Sequence, residues 1–216
     1  IEQQDDKKLI EIYKKTAVNQ FIAGGFVFLL IIASLSDIYN FIPTKENFAQ
    51  IVQGMPVVFI VGSCYVIDML MGCNTEIIHY SKLYKWNAFL IPLLAFMAIG
   101  LNLLFLKLLP NGLIAVAMAT FSTIVIHNAI RCIIIYKSYK ALPFSIGHLK
   151  FLVLLLTSGA IVYFMPDTQN KYLNIAINST VVSTLIIGGS ILLKVSDDFN
   201  LLCNNACQML LSKLKK

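Results

Sequence analysis

The sequence predicts an all-α membrane protein that crosses the bilayer six times. Of its 216 residues, 58% are hydrophobic and only 13% are charged, and the mean hydropathy is +0.77. A soluble domain usually has about 25% charged residues, so the composition excludes an ordinary cytosolic enzyme and a disordered chain. Lipid cannot satisfy the edges of an open sheet, and the hydrophobic residues lack the two-residue alternation of a β-barrel. Helices therefore remain as the spanning elements.

Six apolar stretches supply the predicted spans. A helix needs about 20 apolar residues to cross a bilayer, and the stretches lie at 17–36, 51–73, 86–108, 112–136, 151–165 and 172–193. The fifth is short but can extend back through Ile146 and His148. The chain then divides into a lead-in at 1–16, a six-helix lobe at 17–193 and a tail at 194–216.

Both ends of the chain are predicted to form helices at the cytoplasmic surface. The lead-in has Leu9, Ile10 and Tyr13 among charged residues, which indicates an amphipathic helix that continues into the first span. The tail begins with Ser196, an N-cap residue followed by two aspartates, and then becomes amphipathic. We interpret it as an interfacial helix that lies on the cytoplasmic leaflet, with a frayed tail as the alternative.

Three connections can be predicted from their turn residues. Pro110-Asn111-Gly112 predicts a tight external turn, because proline ends one helix and glycine permits the reversal. The third and fourth spans should therefore form an antiparallel hairpin. Residues 36–50 read as an external loop, and Pro143 interrupts an internal loop at 137–149.

The basic residues alternate from one connection to the next. Positive charge is concentrated in cytoplasmic loops of membrane proteins, and only Lys45, Lys107 and Lys171 fall on the predicted external side. The remaining fourteen cations predict that both ends are cytoplasmic: Lys7, Lys8, Lys14, Lys15, Lys82, Lys85, Arg131, Lys137, Lys140, Lys150, Lys194, Lys213, Lys215 and Lys216. The net charge of +6 is then a matter of topology, and no nucleic-acid partner is expected.

Two charged residues stand out because they lie well inside predicted spans. Asp68 lies five residues before Cys73, and Arg131 lies five residues before Tyr136, so each sits about 8 Å from the cytoplasmic end of its helix. A charge within a span is costly and suggests a functional role. We expect the two side chains to pair or to line one polar cleft; the alternative is that both simply reach water at the interface.

A polar strip accompanies Arg131 along the fourth span. His127 precedes Arg131 by one helical turn and so shares its face, Asn128 is adjacent, and Ser122 and Thr123 lie above. This strip could line a substrate path, or it could provide hydrogen bonds between packed helices.

The sequence has no recognisable catalytic or metal-binding set. His79, His127 and His148 are too separated to form a metal centre, and Cys203 and Cys207 have no histidine nearby. No phosphate-binding loop or nucleophile motif is present. We therefore expect a protein that is not an enzyme and uses no metal or other cofactor.

Three strings, in order, resemble motifs of the bacterial polysaccharide-biosynthesis flippases, which share a superfamily with the multidrug and toxic-compound extruders. The first comprises Gly72, Asn74, Glu76, Ile77, Ile78, Ser81 and Tyr84. The second comprises Leu109, Pro110, Gly112, Ala115, Ala117, Ala119, Thr120 and Ser122. The third comprises Tyr136, Lys137, Lys140, Pro143 and Phe144. Ala115 and Val116 depart from the family, which often has Gly and Ala there.

The resemblance implies one lobe of a two-lobed transporter in the bacterial cytoplasmic membrane. It covers nearly the whole chain but only the second half of the family, so the chain is expected to be a fragment whose partner is a missing N-terminal lobe. Family members move lipid-linked oligosaccharides by alternating access between the lobes. The expected substrate is a glycan linked to a polyprenyl diphosphate, in contact with membrane lipids.

The implied substrate gives roles to the cations. Arg131 is the deepest, so we expect it to contact the diphosphate, with His127, Asn128 and Asp68 nearby. A second group would attract the anion from outside the site, although topology alone could explain it: Lys82, Lys85, Lys137 and Lys140. Two other functions stay open, namely an ion-coupled multidrug exporter of the same superfamily and a six-helix scaffold or partner subunit without transport.

Overall fold

The computed structural model describes residues 2–39, 54–166, 168 and 170–214, and every regular element in those ranges is helical. Five of the helices are long and apolar enough to cross a membrane, or six if a bent pair counts as one span. The predicted all-α fold with several spans is therefore confirmed. The external loop predicted at 36–50 lies outside the described residues from position 40 onward.

The helices follow the predicted spans closely. Their bounds are α1 Glu2–Tyr39, α2 Met55–Leu70, α3 Asn74–Tyr80, α4 Asn87–Leu108, α5 Gly112–Tyr139, α6 Ile146–Tyr163, α7 Lys171–Ser183, α8 Gly189–Leu192 and α9 Asp197–Leu214. A short 3-10 turn at Tyr84–Trp86 leads into α4. A π-helical segment at Thr184–Gly188 joins α7 to α8, so these two form one continuous rod.

Helix α1 is the longest element in the described part of the chain, and it contributes residues to two hydrophobic clusters. Its 38 residues extend about 57 Å, whereas the hydrocarbon core of a bilayer is about 30 Å thick. The lead-in and the first span are thus one uninterrupted helix that is longer than a bilayer crossing requires. Tyr13 in its first part packs with α3 and the end of α5, and Phe21 packs with Phe151 of α6.

Helices α1 and α2 run antiparallel and touch through glycines. A Cβ on Gly24 would lie 2.3 Å from the Met69 sulfur, and one on Gly62 would lie 2.6 Å from the Phe28 ring. The absence of side chains at these two positions lets the helices approach closely. The same seam continues to the C-terminal end of α2.

The predicted hairpin of the third and fourth spans is present as α4 and α5. Asn111 caps α5, because its side-chain oxygen accepts hydrogen bonds from the amides of Leu113 at 3.0 Å and Ile114 at 3.3 Å. Helix α5 also packs against α2 and α3, whereas α1 packs against α2, α6 and α7. The bundle thus has an α4–α5 side and an α6–α7 side, joined through α1 and α2.

The tail helix is tied to the start of the bundle. The Ser196 hydroxyl donates to Asn19 Oδ1 at 2.6 Å and accepts from the Phe199 amide at 3.4 Å, as an N-cap does. Lys150 Nζ donates to the Leu193 carbonyl at 2.9 Å. The start of α9 therefore lies where α1 changes from a charged to an apolar sequence.

Candidate functional site: a polar cluster at the break of the second span

Helices α2 and α3 lie where the second span is predicted, and they are inclined by 49° at a short break between them. Gly72 lies in the break with a φ of +62°, which favours glycine. A Cβ at this position would be 2.7 Å from Ala17 Cα, so α1 backbone fills the space beside it. Both the turn and the close approach therefore require glycine.

Four hydrogen bonds connect Arg131 to Asp68 across this break. Arg131 Nη1 donates to Thr75 Oγ1 at 2.9 Å, and Thr75 Oγ1 donates to Asn74 Oδ1 at 3.2 Å. Asn74 Nδ2 donates to Asn128 Oδ1 at 3.0 Å, and Asn128 Nδ2 donates to Asp68 Oδ1 at 2.7 Å. Every donor points from the cation toward the anion, an order in which successive bonds polarise one another. We call these five residues the polar cluster.

The polar cluster is buried in its middle and open at one end. Asn74 and Asn128 are 2% and 1% exposed, Thr75 and Arg131 are half-buried, and Asp68 is exposed. A buried amide needs partners to offset its desolvation, and each asparagine finds one in the other. The carboxylate of Asp68 thus reaches the surface while its donor is held rigidly beneath it.

The predicted association of Asp68 and Arg131 takes an indirect form. No ion pair joins them among the described residues. Instead, Asn128 donates a hydrogen bond to the Asp68 carboxylate, and the Thr75 hydroxyl accepts one from the Arg131 guanidinium. Opposite charges joined through hydrogen bonds keep the cluster neutral as a whole, which lowers the cost of placing it in a membrane-spanning helix.

Two other residues of the polar strip on α5 form hydrogen bonds away from the polar cluster. His127 is 4% exposed, and its Nε2 donates to the Leu90 carbonyl of α4 at 3.2 Å. The Thr123 hydroxyl donates to the Ala119 carbonyl of its own helix at 2.7 Å. His127 therefore joins α4 to α5, whereas Asn128 and Arg131 face α2 and α3.

The four outer lysines have different surroundings. Lys82 Nζ lies 3.7 Å from Asp6 Oδ2 and 4.8 Å from the centre of the Tyr139 ring. Lys140 Nζ lies 5.6 Å from the centre of the Tyr136 ring. Lys85 and Lys137 are exposed. Lys82, in the α3–α4 turn, thus contacts both the start of α1 and the end of α5, and these three elements lie at the same end of the bundle.

Sequence reasoning identified Asp68, Asn128 and Arg131 but did not assign Asn74 or Thr75 to the site. Both follow Gly72 after a single cysteine, and a glycine with two polar residues close behind it at the end of an apolar stretch is the available signal of a break. Asn74 stood in the motif that suggested the flippase resemblance, although only as a family position.

The cluster offers hydrogen-bond donors and one cation to an anionic ligand. A guanidinium can hold a phosphate through two parallel hydrogen bonds, and among the described residues Nη1 of Arg131 donates to one neutral hydroxyl, that of Thr75. No group of three or more His, Cys, Asp or Glu side chains converges in the described part of the chain. Comparison with known proteins gives no further identification, because no family model, curated protein or solved structure matches the chain.

Proposed function

We propose that the protein is the C-terminal lobe of a flippase that moves lipid-linked oligosaccharides across the bacterial cytoplasmic membrane. The observation that carries the proposal is the polar cluster, which places a half-buried arginine beside a break in a membrane-spanning helix. Broken helices line the substrate sites of many transporters. The order of the three sequence strings that resemble flippases supports the same function.

In this proposal Arg131 binds the diphosphate of a polyprenyl-linked glycan on the cytoplasmic side. Binding would replace the Thr75 hydroxyl as the partner of Nη1, and this exchange would loosen the hydrogen-bond chain that ties α3 to α5. The broken span could then change its bend as the lobes rock. Lys85 and Lys137, both exposed, would raise the local concentration of the anion.

The test is transbilayer movement of a labelled lipid in proteoliposomes. The protein, expressed from its complete reading frame, is reconstituted with a fluorescent polyprenyl-diphosphate oligosaccharide, and dithionite then quenches the label in the outer leaflet. Arg131→Gln should slow flipping by about tenfold or more, because hydrogen bonds to a charged group contribute about 1.5–3 kcal/mol. Lys107→Gln, which removes an exposed cation from the last turn of α4 on the predicted external side, should leave the rate within about twofold.

Equal rates for Arg131→Gln and the wild type would contradict the assignment of Arg131. The two rival functions give other results in the same vesicles. An ion-coupled multidrug exporter would move a lipophilic cation and would depend on Asp68, whereas a scaffold would move neither compound.

A further inference from the structure

We infer that the seam between α1 and α2 holds the hydrocarbon chain of the polyprenyl substrate while its diphosphate lies at the polar cluster. This inference rests on the proposed function and deepens it, because it gives the lipid part of the substrate its own site. The seam contains a cavity of about 310 Å³ between the two helices. It is lined by Ala23, Gly24, Val27, Phe28, Ile31, Gly62, Tyr65, Val66 and Met69.

The lining has the chemistry of a chain site. Among the described residues that line it, no side chain carries a charge and the one polar side chain is the phenol of Tyr65. Gly24 and Gly62 hold the helices close together, while Val27 and Tyr65 leave the groove open, at 52% and 56% exposed. A narrow apolar groove of this kind suits one flexible chain better than the broad face of another helix.

The position of the cavity relative to the polar cluster fits an amphiphile. Met69 lines the cavity, and the preceding residue, Asp68, accepts the hydrogen bond from Asn128. The groove runs from Met69 back to Gly62, about 10 Å along α2, compared with about 15 Å for the hydrocarbon half of one leaflet. The groove therefore begins beside the Asp68 end of the polar cluster, and a lipid whose headgroup lies at the cluster would have its chain directed along the groove.

A second cavity prolongs the seam beyond the break. It has about 380 Å³ and lies between the first part of α1 and α3, where Lys8, Thr16 and Glu76 contribute to its lining. Both cavities lie on the same side of α1. The α1 residues that line them are spaced by four, seven and four positions, and such a spacing keeps side chains on one helix face: Ile12, Thr16, Ala23 and Val27. Polar groups occur at the end of the seam formed by the second cavity, and apolar groups occur at the other end. A lipid of the inner leaflet has the same arrangement, with its headgroup at one end and its hydrocarbon chain at the other.

The experiment fills the groove without touching the polar cluster. Val27→Trp places an indole in the cavity. Val153→Trp on α6 is the matched control, because Val153 is 53% exposed and lines none of the cavities described above. The depths of Val27 and Val153 can be compared because α1 and α6 are in contact at Val18 and Gly147, where an added Cβ would lie 3.3 Å from Val18. Counted along each helix from that contact, Val27 lies about 13 Å away and Val153 about 9 Å away.

Binding is measured with the full chain in nanodiscs and a radiolabelled polyprenyl diphosphate that carries no sugar. We expect Val27→Trp to weaken binding at least about tenfold and Val153→Trp to change it less than about twofold. A photoreactive benzoylphenylalanine in place of Tyr65 should crosslink to the same probe, and excess phosphatidylglycerol should not compete.

Each result decides a different claim. If the wild-type chain binds the probe and Val27→Trp binds it equally well, the groove is not the chain site, while the proposed function stands. If the wild type binds no probe, the proposed function fails first and the chain site with it. Equal competition by phosphatidylglycerol would show a site for general membrane lipid and would overturn the polyprenyl assignment, as would a second protein copy crosslinked at Tyr65.

Discussion

Gly72→Ala should destabilise the protein more than any ordinary glycine substitution in a helix. The φ of +62° costs a residue with a side chain about 1–2 kcal/mol. The new Cβ would also lie 2.7 Å from Ala17 Cα and 2.8 Å from Ala17 N. Backbone atoms cannot rotate away, so the overlap adds about 1–3 kcal/mol. Together the two effects predict a loss of about 2–5 kcal/mol.

The assay is reversible unfolding of the purified protein in mixed detergent micelles, with Gly100→Ala as the control. A Cβ on Gly100, within α4, meets no atom within 4 Å, and alanine in a helix interior is favoured over glycine by about 0.5–1 kcal/mol. Gly100→Ala should therefore be neutral or slightly stabilising. Equal stability of the two variants would refute the argument that the break requires glycine.

Three further predictions concern packing and the tail. Asn128→Leu removes two hydrogen bonds of the polar cluster and should cost about 1–3 kcal/mol in the same unfolding assay; unchanged stability would mean that the cluster contributes no net energy. Gly147→Ala puts a Cβ 2.6 Å from the Val195 carbonyl oxygen, so limited proteolysis should cut between α8 and α9 faster than in the wild type; an unchanged rate would show that this contact is not needed there. Fluorophores on Leu202→Cys and Asn204→Cys, in a background without other cysteines, should report opposite faces of α9, with lipid-attached quenchers acting more strongly at position 202; equal quenching would contradict an interfacial tail helix.

Hydropathy and helical arithmetic predicted much of the fold. The apolar windows and the turn at 110–112 depend only on local sequence. The helices predicted from them, α4 and α5, and the hairpin that they form are therefore present in the structure. The similar depth of Asp68 and Arg131 follows from counting residues from the helix ends, and the structure places both in one cluster.

The break in the second span escaped prediction for a physical reason. A window average over 51–73 does not distinguish Gly72 from the two other glycines of that stretch, and the direction of α3 depends on its contacts with α1 and α5. The roles of Asn74 and Thr75 arise only when α5 brings Asn128 and Arg131 beside them.

The most direct test of the proposed function compares two substrates in the same proteoliposomes. A fluorescent polyprenyl-diphosphate oligosaccharide and a lipophilic cation such as ethidium are supplied to vesicles that contain the wild-type protein. A flippase predicts that nearly all of the lipid label becomes accessible to dithionite, while ethidium stays where it was placed. Accessibility limited to the outer leaflet, as in vesicles without protein, would contradict the proposed function, and movement of ethidium alone would indicate an exporter instead.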